Sequence, residues 1–276
     1  MNDFLKRLQA CEYLAHRYEL GEFPNLPLAD EPFVREWGFW IENPKESPFD
    51  VNGILPGVSD ETVSLRLEQT PAGRIPVLRT RTRAGFERVR NALYPGGFKT
   101  GIPASVNAFT VIAKRPPLAG HRIIILNRAG YSALSGKELG MEEEEWLEKS
   151  MTLRLNHEIC HYFSLRVLGG MRNHALDEIA ADCAGQLAAF GAFKAALQRL
   201  FFGISEEGGK ILPGGRFSFY IKRLRGASVD AVLEATNAAL GSLESWLAEN
   251  PDMTLESNRP RLVTNLLTAG IPGIRR

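Results

Sequence analysis

The chain has 276 residues, with 33 Lys and Arg against 32 Asp and Glu, five His, three Cys and a formal net charge of +1. At about 100–200 residues per domain, this length holds one large domain or two small ones. A hydrophobic fraction of 44% and a charged fraction of 24% exclude wholesale disorder. The balanced charge argues against a protein that coats nucleic acid or an anionic membrane. Cys11, Cys160 and Cys183 cannot build a disulfide framework. The segment Met1 to Arg7 lacks the basic stretch and apolar run of a signal peptide. No run of about 18 apolar residues occurs, and the greasiest stretch, Leu187 to Phe193, stops at Lys194. These features predict a cytoplasmic protein outside the membrane.

In chain order, residues 3–20 read as an amphipathic helix, with Phe4, Leu5, Leu8 and Cys11 at helical spacing. Residues 21–61 carry Pro24, Pro27, Pro32, Pro44, Pro48 and Pro56, which predicts extended or looping chain ordered by Trp37, Phe39 and Trp40. Val63, Leu65 and Leu67 alternate with polar residues as a strand does, and 75–83 has similar character. Residues 86–94 read as a short helix closed by Pro95-Gly96-Gly97. Two more strands follow, 106–114 and 122–127. In the second, Ile123, Ile124, Ile125 and Leu126 stand in a row, which predicts burial on both faces.

After Gly140 the pattern turns helical. Acidic residues 142–145 suit a helix start, and Gly169-Gly170 supplies its stop. A second helix is predicted from about 173 to 200, followed by 228–249 and 259–268. The order predicts an α+β fold, with residues 1–100 as a partly β accessory region and 101–276 as the core.

The chemistry concentrates in Asn156-His157-Glu158-Ile159-Cys160-His161-Tyr162. Four residues is slightly more than one helical turn, so His157 and His161 share a face and can chelate one metal ion. Neutral imidazoles suit zinc, and Glu158 stands where a carboxylate can take the proton of a metal-bound water. Cys160 reads as a small buried hydrophobe, as does Cys183.

Sixteen residues after His161 begins Asp177-Glu178-Ile179-Ala180-Ala181-Asp182. Glu178 and Asp182 are four apart on a helix that is apolar nearly all round, so both carboxylates are expected to be buried. A buried carboxylate requires a cation or donors. A zinc ion for Glu178 and an imidazole N–H for Asp182 would satisfy the two. Pairing with Arg154, Arg166 or Arg172 is the alternative.

These residues carry a resemblance. His157-Glu158-x-x-His161 followed by Glu178-x-x-x-Asp182 resembles the gluzincin branch of the zincin metallopeptidases, over roughly residues 106–190. The resemblance implies a zincin-like α+β core holding one Zn2+ per chain. In that reading His157, His161 and Glu178 are the metal ligands, Glu158 is the general base and Asp182 orients a ligand histidine. Asp177 and His174 remain alternative third ligands. Asn107-Ala108-Phe109 looks like the edge-strand run on which such enzymes lay substrate backbone. An oxyanion donor is implied downstream, with His174, Arg216, Tyr220 and Arg223 as candidates.

Arg79, Arg81 and Arg83 alternate and, with neighbouring Arg and Lys, make 66–99 locally basic; a solvated strand face is the expectation. The leading functional expectation is a zinc-dependent peptidase or amide hydrolase acting on a peptide or protein substrate. The competing one is a non-catalytic zincin-fold module that binds metal as a sensor or interaction element.

Overall fold

Strand β4 (Arg122–Asn127) organises the sheet, because its four consecutive branched aliphatics leave no face suited to water. Ile123, Ile124, Ile125 and Leu126 are each 0% exposed. The computed structural model describes Leu14 and residues 17–46, 63–96, 101–171, 175–221 and 228–272. Within it β1 (Val63–Glu68), β2 (Ile75–Thr80), β3 (Ala108–Ile112) and β4 form a mixed sheet in the order β1-β2-β4-β3. β1 runs antiparallel to β2, β2 parallel to β4, and β4 antiparallel to β3. The third and fourth strands form an antiparallel pair, with Phe109 opposite Ile125 and Thr110 opposite Ile124. This α+β character agrees with the order read from sequence.

Side chains alternate across the sheet, so Ile123 and Ile125 face one side while Ile124 and Leu126 face the other. The first side is covered by α1 (Phe33–Glu42) and α2 (Arg83–Leu93), which contribute Phe33, Val34, Trp37, Phe86, Val89 and Leu93 to one apolar core. Helix α2 starts where Thr82 accepts a hydrogen bond from the Gly85 amide at 3.1 Å.

Helix α1 corrects the expectation of extended chain. Pro32 stands at the helix entrance, where a missing N–H costs nothing, and the next proline is Pro44, so 33–42 contains none. Trp37 is fully buried and its indole donates to His121 Nδ1 at 3.1 Å, whereas Phe39 points to solvent. The alternating arginines are corrected as well. β2 ends at Thr80, so only Arg79 lies in the strand, where it pairs with Glu68 at 2.6 Å. Arg83 opens α2 and donates inward to the carbonyls of Ile102 and Val106.

The chain divides into two units, 24–158 in one and 1–23 with 159–276 in the other. The sequence reading divided it near residue 100; the sheet draws strands from both sides of that position. Helix α3 (Glu143–Val167) is one continuous element of 25 residues, counted to the first unit through Glu158 and to the second from Ile159.

The second unit is helical. α4 (Ala175–Phe190) is followed by α5 (Ala195–Phe202), α6 (Phe217–Ile221), α7 (Val229–Glu249) and α8 (Arg259–Ala269). A single helix to residue 200 was expected. Instead Gly191, at φ 73°, takes the left-handed conformation that closes α4. Buried Gln186 then accepts the Lys194 amide at 2.9 Å, and Glu244 accepts the Ala195 amide at 2.9 Å, which caps the new helix. Most of the predicted first helix lies outside the described residues, as do Pro48, Pro56, Cys11 and Gly97. No helix among the described residues is long and apolar enough to cross a membrane.

The centrality of β4 is testable. Ile124→Ala is expected to cost about 2–5 kcal/mol in urea unfolding. Ile112→Ala, at a position 48% exposed on the edge strand, is expected to change stability by less than about 0.5 kcal/mol. Equal costs for the two variants would contradict this account of the sheet.

Candidate metal centre

His157, Glu158 and His161 are 6%, 6% and 5% exposed on α3. Acidic residues 143–145 open that helix at its positive end, so the motif stands near the middle of a long, uninterrupted element. Helix α4 supplies the facing acids. Its residues from Ala175 to Leu187 are all buried, Asp177, Glu178 and Asp182 among them. His161 Nε2 lies 3.6 Å from Glu178 Oε1.

One ligand atom each from His157, His161 and Glu178 lies within 4.8 Å of the others, the one such group of three or more among the described residues. Three atoms that close share a point within about 2.8 Å of each, against zinc–ligand distances of about 2.0–2.2 Å. The residues therefore fit a divalent ion after a side-chain adjustment of less than an ångström. Two imidazoles and one carboxylate form a donor set of the kind zinc takes.

His157, Glu158 and Glu178 are each held from behind. Tyr131, in the 3-10 turn after β4, places its hydroxyl 3.0 Å from His157 Nδ1. Thr110 of β3 donates to Glu158 Oε2 at 2.7 Å, which its register opposite Ile124 makes possible by turning it away from the Phe109 face. Tyr220 of α6 donates to Glu178 Oε2 at 2.8 Å. Burial, and then the Glu178 carboxylate, push the Tyr220 phenol well above its ordinary range, against the opposing pull of Arg216. The phenol therefore keeps its proton at neutral pH and acts as a donor.

Asp182 is wholly buried and accepts from Gln198 Nε2 at 2.5 Å and from Arg216. Gln198 in turn accepts from Gln186 at 2.9 Å, so a chain of buried amides ties α5 to α4. Asp177 accepts the Tyr18 hydroxyl on both oxygens at 3.0 Å. Of the arginines expected as alternative partners for these acids, Arg154 donates to the carbonyls of Asn127, Ala129 and Gly130, and Arg166 to the Tyr162 hydroxyl. Arg172 lies outside the described residues, as do His174 and Arg223.

Cys160 and Cys183 are buried and free. Burial pushes both thiols up, that of Cys160 helped by the nearby carboxylates and that of Cys183 by Asp182, so neither is a reactive thiolate. Asn107 is buried, donating to the Ala104 carbonyl at 2.7 Å and accepting from Asn127 at 2.8 Å. Phe109 stacks on Phe86 with ring centroids 5.6 Å apart.

The structure thus brings together the expected His157, His161 and Glu178, and the two donor candidates among the described residues, Tyr220 and Arg216, touch Glu178 and Asp182. Sequence reasoning missed Thr110, Tyr131 and Gln198. Strand alternation from Phe109 could have found Thr110. Tyr131 carries no local pattern, and Gln198 was hidden by the unrecognised helix break.

The chain belongs to a family of unknown function, DUF7005, whose model matches residues 103–269. That span holds β3, β4 and every residue of the candidate centre. No curated protein matches the chain, and no solved structure does.

The Arg216–Asp182 contact gives the site a stability signature. Arg216→Ala leaves a fully buried carboxylate short of its cation and is expected to cost about 3 kcal/mol in urea unfolding. Adding Asp182→Asn should recover part of that loss. A cost below about 0.5 kcal/mol for the single variant would mean the pair is not structural.

Proposed function

We propose that this protein is a zinc-dependent peptidase or related amide hydrolase with a zincin-like core, acting on a peptide or protein substrate. The carrying observation is the convergence of two buried histidines, one helical turn apart, on a buried glutamate of the next helix. Such a group suits a divalent cation, because the buried carboxylate needs donors or a positive charge to balance it and the imidazoles offer lone pairs to the same point. His157, His161 and Glu178 would hold one zinc ion, which when bound polarises a carbonyl and makes water acidic near neutral pH.

The chain's own residues then have separable duties. Glu158 takes a proton from the attacking water and returns it to the leaving amine. Thr110 holds one Glu158 oxygen at 2.7 Å, which fixes the carboxylate and leaves the other oxygen for the proton. Tyr220, protonated and beside Glu178, is assigned to steady the negative charge that grows on the substrate oxygen, turning its one proton from Glu178 to do so. Asp182, one turn beyond Glu178, is assigned to orient a ligand histidine, and its own carboxylate is held by Gln198 and Arg216. The compartment assigned by this reading is the cytoplasm.

Glu158→Gln separates holding metal from chemistry. The variant is expected to keep about one zinc per chain and to lose hydrolysis of a peptide library by at least about 100-fold. Full activity in Glu158→Gln would contradict the assignment of the base.

A further inference from the structure

The turn that follows β4 is held more firmly than a connecting loop requires. Ser132 and Ala133 stand at φ 54° and φ 64°, two consecutive residues other than glycine in the left-handed region. The Ser132 hydroxyl oxygen is buried with no hydrogen-bond partner. At Gly130, a Cβ would lie 1.9 Å from the Leu134 carbonyl oxygen, so only glycine admits this closure. A conformation with these local penalties persists where its surroundings over-determine it.

The surroundings are one stripe of α3. Trp146 Nε1 donates to the Leu134 carbonyl at 2.8 Å, and the Ser150 hydroxyl accepts the Tyr131 amide at 3.0 Å. Arg154 donates to the carbonyls of Ala129 and Gly130 at 3.1 and 3.2 Å. These three residues are 0%, 0% and 2% exposed. At about 100° per residue, positions 146, 150, 154 and 157 fall within about 80° of one another around the helix. The stripe that clamps the turn therefore ends at His157. The clamped turn delivers Tyr131, 4% exposed, with its hydroxyl 3.0 Å from His157 Nδ1 and its ring edge-on to the imidazole.

We infer that Tyr131 is the positioning residue of His157: its hydroxyl oxygen accepts the Nδ1 proton, which leaves Nε2 unprotonated and aimed at the metal. The inference rests on the reading of His157 as a metal ligand. An imidazole can ligate through one nitrogen when the other donates to a fixed acceptor, and such partners tune metal affinity by roughly 10–100-fold. The strained turn is the device that keeps this acceptor in place, since a relaxed loop would let the phenol swing away. Tyr131 touches neither the reacting atoms nor the ion in this scheme; it acts through His157.

The test compares the full-length wild type with Tyr131→Phe in two measurements. Zinc affinity, by competition with a chromogenic chelator, is expected to fall roughly 10–100-fold in the variant while its circular dichroism and unfolding midpoint stay near wild type. Ring-nitrogen NMR of the metal-free protein, with His157 assigned from a His157→Asn variant, is expected to show the Nδ1–H form in wild type and a shift toward Nε2–H in Tyr131→Phe. Wild-type zinc affinity in the variant, or an unchanged tautomer, overturns the inference. If wild type itself binds no zinc yet the tautomer shifts, the metal reading fails and the positioning of His157 by Tyr131 stands. Should Tyr131→Phe not fold, Ser150→Ala, which frees the Tyr131 amide and keeps the phenol, is expected to weaken zinc in the same direction. Undiminished affinity there overturns the inference as well.

Discussion

Burial of carboxylates on α4 is the constraint from which most of this site follows. Asp177, Glu178 and Asp182 are 3%, 6% and 0% exposed on a helix whose other residues from 175 to 187 are almost all apolar or small. An ionised carboxylate in such a place costs several kcal/mol unless hydrogen bonds or cations compensate it. Each acid has met that demand differently. Asp177 takes a tyrosine hydroxyl, Asp182 a glutamine amide and a guanidinium, and Glu178 a phenol and a histidine. Glu178 is the acid with a ligand atom of each of two histidines within 4.8 Å, which is why we propose it as the third ligand.

The same logic explains why α3 is long and uninterrupted. In the proposed metal site, a histidine pair at four-residue spacing needs a helix that does not fray, and the motif lies well inside the element rather than at an end. The residues around it serve as braces. Trp146, Ser150 and Arg154 fix the turn after β4, Thr110 fixes Glu158, and Tyr131 meets His157. Rigid elements with locked side chains are what a metal-dependent reaction requires, because ligand placement within about half an ångström decides whether the geometry is productive.

Much of this was legible in sequence wherever the signal is local. The His157–His161 spacing, the isoleucine run of β4 and the Glu178–Asp182 interval each reflect a periodicity that survives folding unchanged. The failures have physical causes. Prolines up to Pro32 masked an ordinary helix at 33–42, because proline at a helix entrance looks the same in sequence as proline in a loop. The break at Gly191 was missed because a lone glycine in an apolar run does not reveal its left-handed φ. Tyr131 and Gln198 belong to contacts made across the fold, 26 and 16 residues from their partners, and no spacing rule encodes them.

The central claim is that His157, His161 and Glu178 form one metal site, and metal content addresses it most directly. Mass spectrometry of the purified wild type, His157→Ala and Glu178→Ala should find about one zinc per wild-type chain and a loss in both variants. Wild-type protein that holds no metal after exposure to zinc, or a Glu178→Ala variant that keeps its full complement, would contradict the account.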